Sequence, residues 1–156
     1  MMEVLKLKPM ELLKAANENM ASDVVMLPLY DIMLSEAEKL LAEGEVELYE
    51  AVLHVIETEK TMAEGSNWFV ITFKNLEYGA SRLYHAIFNL QEQFGEQQFY
   101  VLPASVHEFL VCPIGVFPKE ELTPMVKDIN ENHLSPTERL GNNAYFYDGC
   151  KFVKID

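Results

Sequence analysis

Ser105, His107 and Glu108 lie close together in FYVLPASVHEFLVCP (residues 99–113), a stretch with no other Asp, Glu, Lys, Arg or His. A hydroxyl, an imidazole and a carboxyl so close in sequence are the ingredients of a nucleophile, a base and an orienting group. The flanking runs are apolar, so these polar side chains interrupt what reads as the centre of a sheet. Strand geometry argues against an assembled triad. Side chains alternate sides along an extended chain, which points Ser105 and His107 one way and Glu108 the other unless a bulge intervenes. No Gly-x-Ser-x-Gly elbow is present to present a serine.

Three readings of these residues follow. The favoured one is structural: Ser105 and His107 satisfy backbone groups around Pro103, and Glu108 pairs at the sheet rim with Arg82 or Lys151. In the second, His107 and Glu108 line a ligand or peptide groove with Tyr84 and Tyr100. The third is a small hydrolase or transferase that uses Ser105 and His107, with Glu108 as the third member.

Other chemistry has weaker support. The four histidines show neither H-x-x-x-H nor H-E-x-x-H spacing, so no metal site is expected. His54 is expected as a hydrogen-bonded interface residue among apolar neighbours, and His85 as a partly exposed surface residue. The seven glycines are scattered and form no phosphate-cradling loop, so no cofactor is expected. Cys112 and Cys150 sit in apolar, strand-like runs and are expected as buried thiols.

The elements that must position these residues belong to a chain of 156 residues, 49% hydrophobic and 24% charged, ordinary for one globular domain. The net charge of −13 disfavours a phosphate-backbone partner. Residues 1–66 carry 14 acidic and 5 basic groups, and residues 67–156 carry 11 and 7. The acidity is thus concentrated in the first part, either as solubilising charge or as a surface for a basic protein partner. No apolar run approaches the ~18 residues that span a bilayer, and the N-terminus lacks a basic region followed by an apolar one. A cytoplasmic, non-membrane protein is expected.

Along the chain, residues 1–8 alternate weakly, and Pro9 fits the first position of a helix over residues 9–20. Residues 23–29 read as an apolar connector broken by Pro28. Leu29, Ile32, Met33, Ala37, Leu40 and Leu41 predict an amphipathic helix that stops at Gly44. Residues 45–64 are read as helical, with a strand over residues 46–56 as the alternative. Gly65-Ser66-Asn67 marks the boundary between a helical, acidic part (residues 1–66) and a mixed part (residues 67–156) of a single domain. Residues 68–73 have the aromatic and β-branched density of a buried strand, and Ala80, Leu83, Tyr84, Ile87 and Phe88 predict a helix closed by Gly95.

Two further strands, 98–102 and 106–114, are expected as antiparallel neighbours buried on both faces, with one long bent strand as the alternative. Next comes a loose turn over residues 118–121, then a helix capped by Thr123 with Pro124 at its first position. Ser135-Pro136-Thr137-Glu138 resembles a capping box. A terminal hairpin, 144–147 and 150–155, turns on Asp148-Gly149. The fold class is α+β: a mainly antiparallel sheet of four or five strands, in the order β-α-β-β-α-β-β, preceded by two or three helices.

The succession WFVITFKN, YGASRLYH, FYVLPASVHEFLVCP, EELTPMVKDIN and LSPTERLGNNAYFYD resembles the C-terminal part of an uncharacterised bacterial family, a domain of unknown function found mostly in gut-dwelling Gram-positive anaerobes. The resemblance extends over residues 9–156 and centres on an F-x-V-L-P-x-S-x-H-E signature. This chain departs from the pattern at Ala104, where the family tends to have Ser, at Lys74-Asn75, which replaces Thr-Asn, and at Pro124. The resemblance implies a fold but no activity. On the residues themselves the favoured function is a non-catalytic binding or protein-interaction module; oligomeric state is not legible.

Overall fold

The computed structural model describes residues 10–11, 23–75 and 98–156. The helices expected over residues 9–20 and after Asn75, with Arg82, Tyr84 and His85, and the weak alternation of residues 1–8, lie outside them.

Among the described residues, six strands form one antiparallel sheet. They are β1 (Val24–Pro28), β2 (Phe69–Phe73), β3 (Phe99–Pro103), β4 (Phe109–Pro113), β5 (Tyr145–Tyr147) and β6 (Phe152–Lys154), in the spatial order β1-β2-β4-β3-β5-β6. Three α-helices accompany them: α1 (Leu29–Ala42), α2 (Val46–Thr58) and α3 (Lys119–Asn132). The fold is α+β, with one strand more than expected.

The extra strand is β1, which the sequence presented as a connector. Pro28 is compatible with it because β1 is an edge strand and Pro28 is its last residue, where a missing N–H costs no internal ladder bond. Pro28 pairs in register with Phe69, and the next N–H, of Leu29, donates to the Trp68 carbonyl at 2.9 Å. The helical N-terminal part therefore also contributes an edge to the sheet.

Both faces of the sheet are apolar, because alternate residues of β2, β3 and β4 are apolar on each side. On one face Trp68, Val70, Leu102, Leu110 and Cys112 pack with Leu29 of α1 and with Leu122 and Val126 of α3. On the other, Ile71, Phe99, Val101, Val111 and Tyr147 form a second cluster. β3 is buried at all five positions, as its apolar run requires.

Residues 46–58 are helical, which resolves the helix-or-strand alternative, but the helix ends earlier than the apolar pattern. Glu59 is extended (φ −92°, ψ 117°) and a 3-10 turn, Lys60–Met62, follows. α3 departs further from expectation. It starts at Lys119 with Pro118 as its cap, and Pro124 lies inside it. Pro124 is exposed, so water can satisfy the helical carbonyl left without its N–H. Thr123 is not a cap. It is buried, its hydroxyl donating to the Ile155 carbonyl (2.8 Å) and accepting from the Ala144 N–H (3.1 Å). One hydroxyl thus ties α3 to the chain on both sides of the last hairpin.

That hairpin turns through four residues rather than two, since Tyr147 pairs with Phe152. Asp148 Oδ1 accepts from the N–H groups of Cys150 and Lys151, both at 2.9 Å, and Gly149 takes the positive φ (101°) that a residue with a Cβ resists. Cys150 is consequently exposed at the tip, contrary to the buried thiol expected, whereas Cys112 is buried and its thiol is pushed up to about 12 by loss of solvent.

Candidate functional site

The five residues 104–108 that join β3 to β4 contain all three candidate catalytic groups. They form a folded loop and not the start of a strand, so the alternation argument does not apply to them; β4 begins only at Phe109. The loop closes on itself: the N–H groups of Ala104 and Ser105 both donate to the Glu108 carbonyl at 3.2 Å. The His107 N–H donates to Ser105 Oγ at 3.0 Å, a side-chain turn of the kind serine favours. Two outside contacts fix it. Thr72 of β2 donates to the His107 carbonyl at 3.0 Å, and the Val106 N–H donates to the Glu138 carbonyl at 2.9 Å.

This geometry engages Ser105 as an acceptor for the main chain of His107, and the residue is only 5% exposed. The imidazole is directed elsewhere: His107 Nε2 lies 3.8 Å from Glu138 Oε1, an ion pair when the ring is protonated. Glu138 is in turn held by Ser135, whose hydroxyl and N–H donate to Oε2 at 2.6 and 3.2 Å. These bonds, the hydroxyl first, together with His107 hold the Glu138 carboxyl below the ordinary carboxylate range. The Ser-Pro-Thr-Glu turn therefore forms the reciprocal glutamate half of a capping box, on a turn rather than a helix.

The carboxylate paired with His107 is thus Glu138 and not Glu108. Burial pushes the Glu108 carboxyl up, an effect that His107 partly opposes. Glu108 makes no ion pair with Lys151 among the described residues. Glu138 was already visible in sequence as part of a capping motif; nothing local showed that its turn docks on the 104–108 loop.

Tyr100 lies in β3 and His107 in the loop that follows it. Its ring belongs to the helix-side cluster, 6.0 Å from Phe146. Its phenol is pushed up by burial first, then by the charges of Cys112 and Glu120. Of the groove expected from Tyr84, Tyr100, His107 and Glu108, Tyr84 lies outside the described residues. His54 is exposed on α2, and not packed within the chain as expected.

A different kind of surface is formed by α1 and α2. Between residues 29 and 64 stand ten acidic and two basic residues, so this segment carries −8 of the chain's −13. α2 is apolar at eight of its 13 positions, yet Ile56 is its only buried residue. Leu41, Val46 and Leu48 are 48%, 51% and 53% exposed. Glu43, Glu45, Glu47 and Glu50 surround them, all exposed. A helix apolar on most sides is ordinarily covered, and exposed apolar groups rimmed by polar ones mark interaction surfaces.

Among the described residues no helix is long and apolar enough to cross a membrane, and no group of three His, Cys, Asp or Glu could hold a metal ion. Neither the curated proteins nor the solved structures contain a match to this chain. The model of a family of unknown function, DUF5688, does match, over residues 1–149, and the chain, with its antiparallel sheet and its closed 104–108 loop, belongs to that family.

Proposed function

We propose that this protein is a non-catalytic binding module that engages a basic protein partner through the α1–α2 hairpin. The observation that carries the reading is the exposure of Leu41, Val46 and Leu48 within a rim of glutamates. Apolar side chains would supply affinity there, and the carboxylates would select a Lys- or Arg-bearing surface and speed encounter. The hydrolase alternative is disfavoured by a serine that is buried and already engaged by main chain, and by an imidazole turned toward Glu138. A cytoplasmic location belongs to the same proposal and accords with two cysteines left as free thiols.

The test is affinity capture from native lysate with the wild-type chain, with a Glu43→Lys/Glu47→Lys/Glu50→Lys variant and with Leu48→Ser, each checked for an unchanged melting curve. A stoichiometric partner held by the wild type and lost from both variants supports the proposal. Recovery of the same proteins by all three sinks it.

A further inference from the structure

The sheet face turned away from α3 carries a concavity that plays no part in the acidic surface. Its volume is about 280 Å³, and Pro103, Phe109, Tyr145, Phe152, Leu140 and Gly141 line it. Pairing explains how it forms. Pro103 stands opposite Phe109 across β3 and β4, and Tyr145 follows on β5. Leu140 and Gly141 come from the segment that precedes β5. Three aromatic rings and a pyrrolidine ring thus face one space; among the described residues its walls carry no charge, and the Tyr145 hydroxyl is their side-chain polar group.

The Leu140-Gly141 wall is fixed from the opposite side of the fold. Asn130 of α3, 2% exposed, donates from Nδ2 to the Gly141 carbonyl (2.6 Å) and to Asn142 Oδ1 (2.8 Å). A buried amide bonded twice to this segment holds it in place before any ligand arrives, and a preformed wall lowers the cost of binding.

We infer that this pocket binds a small neutral molecule built on two fused rings, with one hydrogen-bonding group directed to Tyr145. Size sets the scale: a dry cavity of about 150 Å³ accommodates benzene, so this pocket accommodates roughly twice that. Chemistry sets the charge. Ligand pockets are mostly apolar with a few placed polar groups. An ionised ligand would lose its hydration here without gaining a counter-charge, in a protein whose net charge of −13 further repels anions. The inference stands independently of the partner proposed for the α1–α2 hairpin.

Gly141 offers a direct test. A Cβ placed there meets no heavy atom within 4 Å, and its φ is not in the positive range, so a larger side chain fits without strain. Naphthol is titrated into the full chain by calorimetry, with saturation-transfer NMR as a second readout and naphthalene sulfonate as the charged control. Variants are Gly141→Leu and Tyr145→Phe, each first shown to melt as the wild type does. Saturable naphthol binding is expected, abolished by Gly141→Leu, weakened roughly 3- to 10-fold by Tyr145→Phe as for one lost hydrogen bond, and absent for the sulfonate. No saturable binding of naphthol overturns the inference. So does binding that both variants leave unchanged, or equal binding of the sulfonate.

Discussion

Helices α2 and α3 are nearly equal in length and opposite in fate. α2 is apolar at eight of 13 positions and buries only Ile56; α3 is apolar at four of 14 and buries Leu122, Thr123, Val126 and Asn130. What separates them is arrangement. In α3 the apolar residues Leu122, Met125, Val126 and Ile129 recur at three- and four-residue steps and form one stripe, which lies on the sheet. In α2 they lie against α1, which covers only part of them. Between these two helices, burial follows what the apolar stripe lies on, the sheet for α3 and α1 for α2, and not the number of apolar groups.

The sharpest test of that contrast is truncation of one leucine in each helix. Leu122→Ala, at a position with no exposure, should cost about 2–5 kcal/mol by urea denaturation, and Leu48→Ala on α2 less than about 0.5 kcal/mol. Equal costs would mean that α2 is covered in solution by the protein itself or by a second copy.

Polar burial gives the next largest effect. Thr123→Val would strand the Ala144 N–H and leave the Ile155 carbonyl with the Asn143 amide as its remaining side-chain donor (3.0 Å), at roughly 1–3 kcal/mol. The counterpart on α2, Thr58, is exposed and donates back to its own helix at His54 (2.8 Å), so Thr58→Val should leave the unfolding midpoint almost unmoved.

A smaller change, of opposite sign, is expected at Pro124. Its substitution by Ala restores an N–H to the helix ladder at an exposed position, and thermal melts should show a gain of about 1–2 kcal/mol after allowing for the freer unfolded chain. A loss would show that the proline itself aligns Thr123 with the hairpin.

The same contrast between covered and open positions holds for the two glutamates beside His107, and acid titration separates them. Because the Glu108 carboxyl is raised above its ordinary 4.5, the folded chain takes up that proton before the unfolded chain as pH falls. Glu108→Gln should therefore stabilise at neutral pH, and its advantage should vanish as pH falls toward 4.5 and below. Glu138 behaves in the reverse sense. Its carboxyl is held below 4.5 by Ser135, so its contribution is complete above that value and is lost as pH falls through the lowered one. Glu138→Gln should destabilise near neutrality, the smallest effect of the series because the carboxylate is exposed. Denaturation midpoints from about pH 3 to about pH 7, on both sides of the ordinary carboxylate value, distinguish the two; parallel profiles would refute the assignment.

Much of the sheet was legible because its signals are local. The apolar runs in 98–102 and 106–114 read as strands buried on both sides, although β4 begins only at Phe109, and Asp148-Gly149 reads as a turn. The candidate site was less legible. Strand alternation puts Ser105 and Glu108 on opposite sides, whereas the main chain around Pro103 folds into a loop whose bonds run from Ala104 and Ser105 to Glu108. Pro28 and Pro124 misled in the same way. Proline forbids one N–H bond, and where that bond would have faced solvent or an open sheet edge the element simply continued through it.

The sequence by itself determined the α+β class, the acidic character of the N-terminal part, the pairing of β3 with β4 and the family to which the chain belongs. Each rests on composition or on contacts between neighbours in the chain. Tertiary structure alone decided that β1 completes the sheet, that His107 faces Glu138, that Thr123 links α3 to the last hairpin and that Asn130 holds the wall of an apolar pocket. All four bring together groups distant in the chain. No local pattern encodes such pairs, because their partners are chosen by the packing of the sheet and helices.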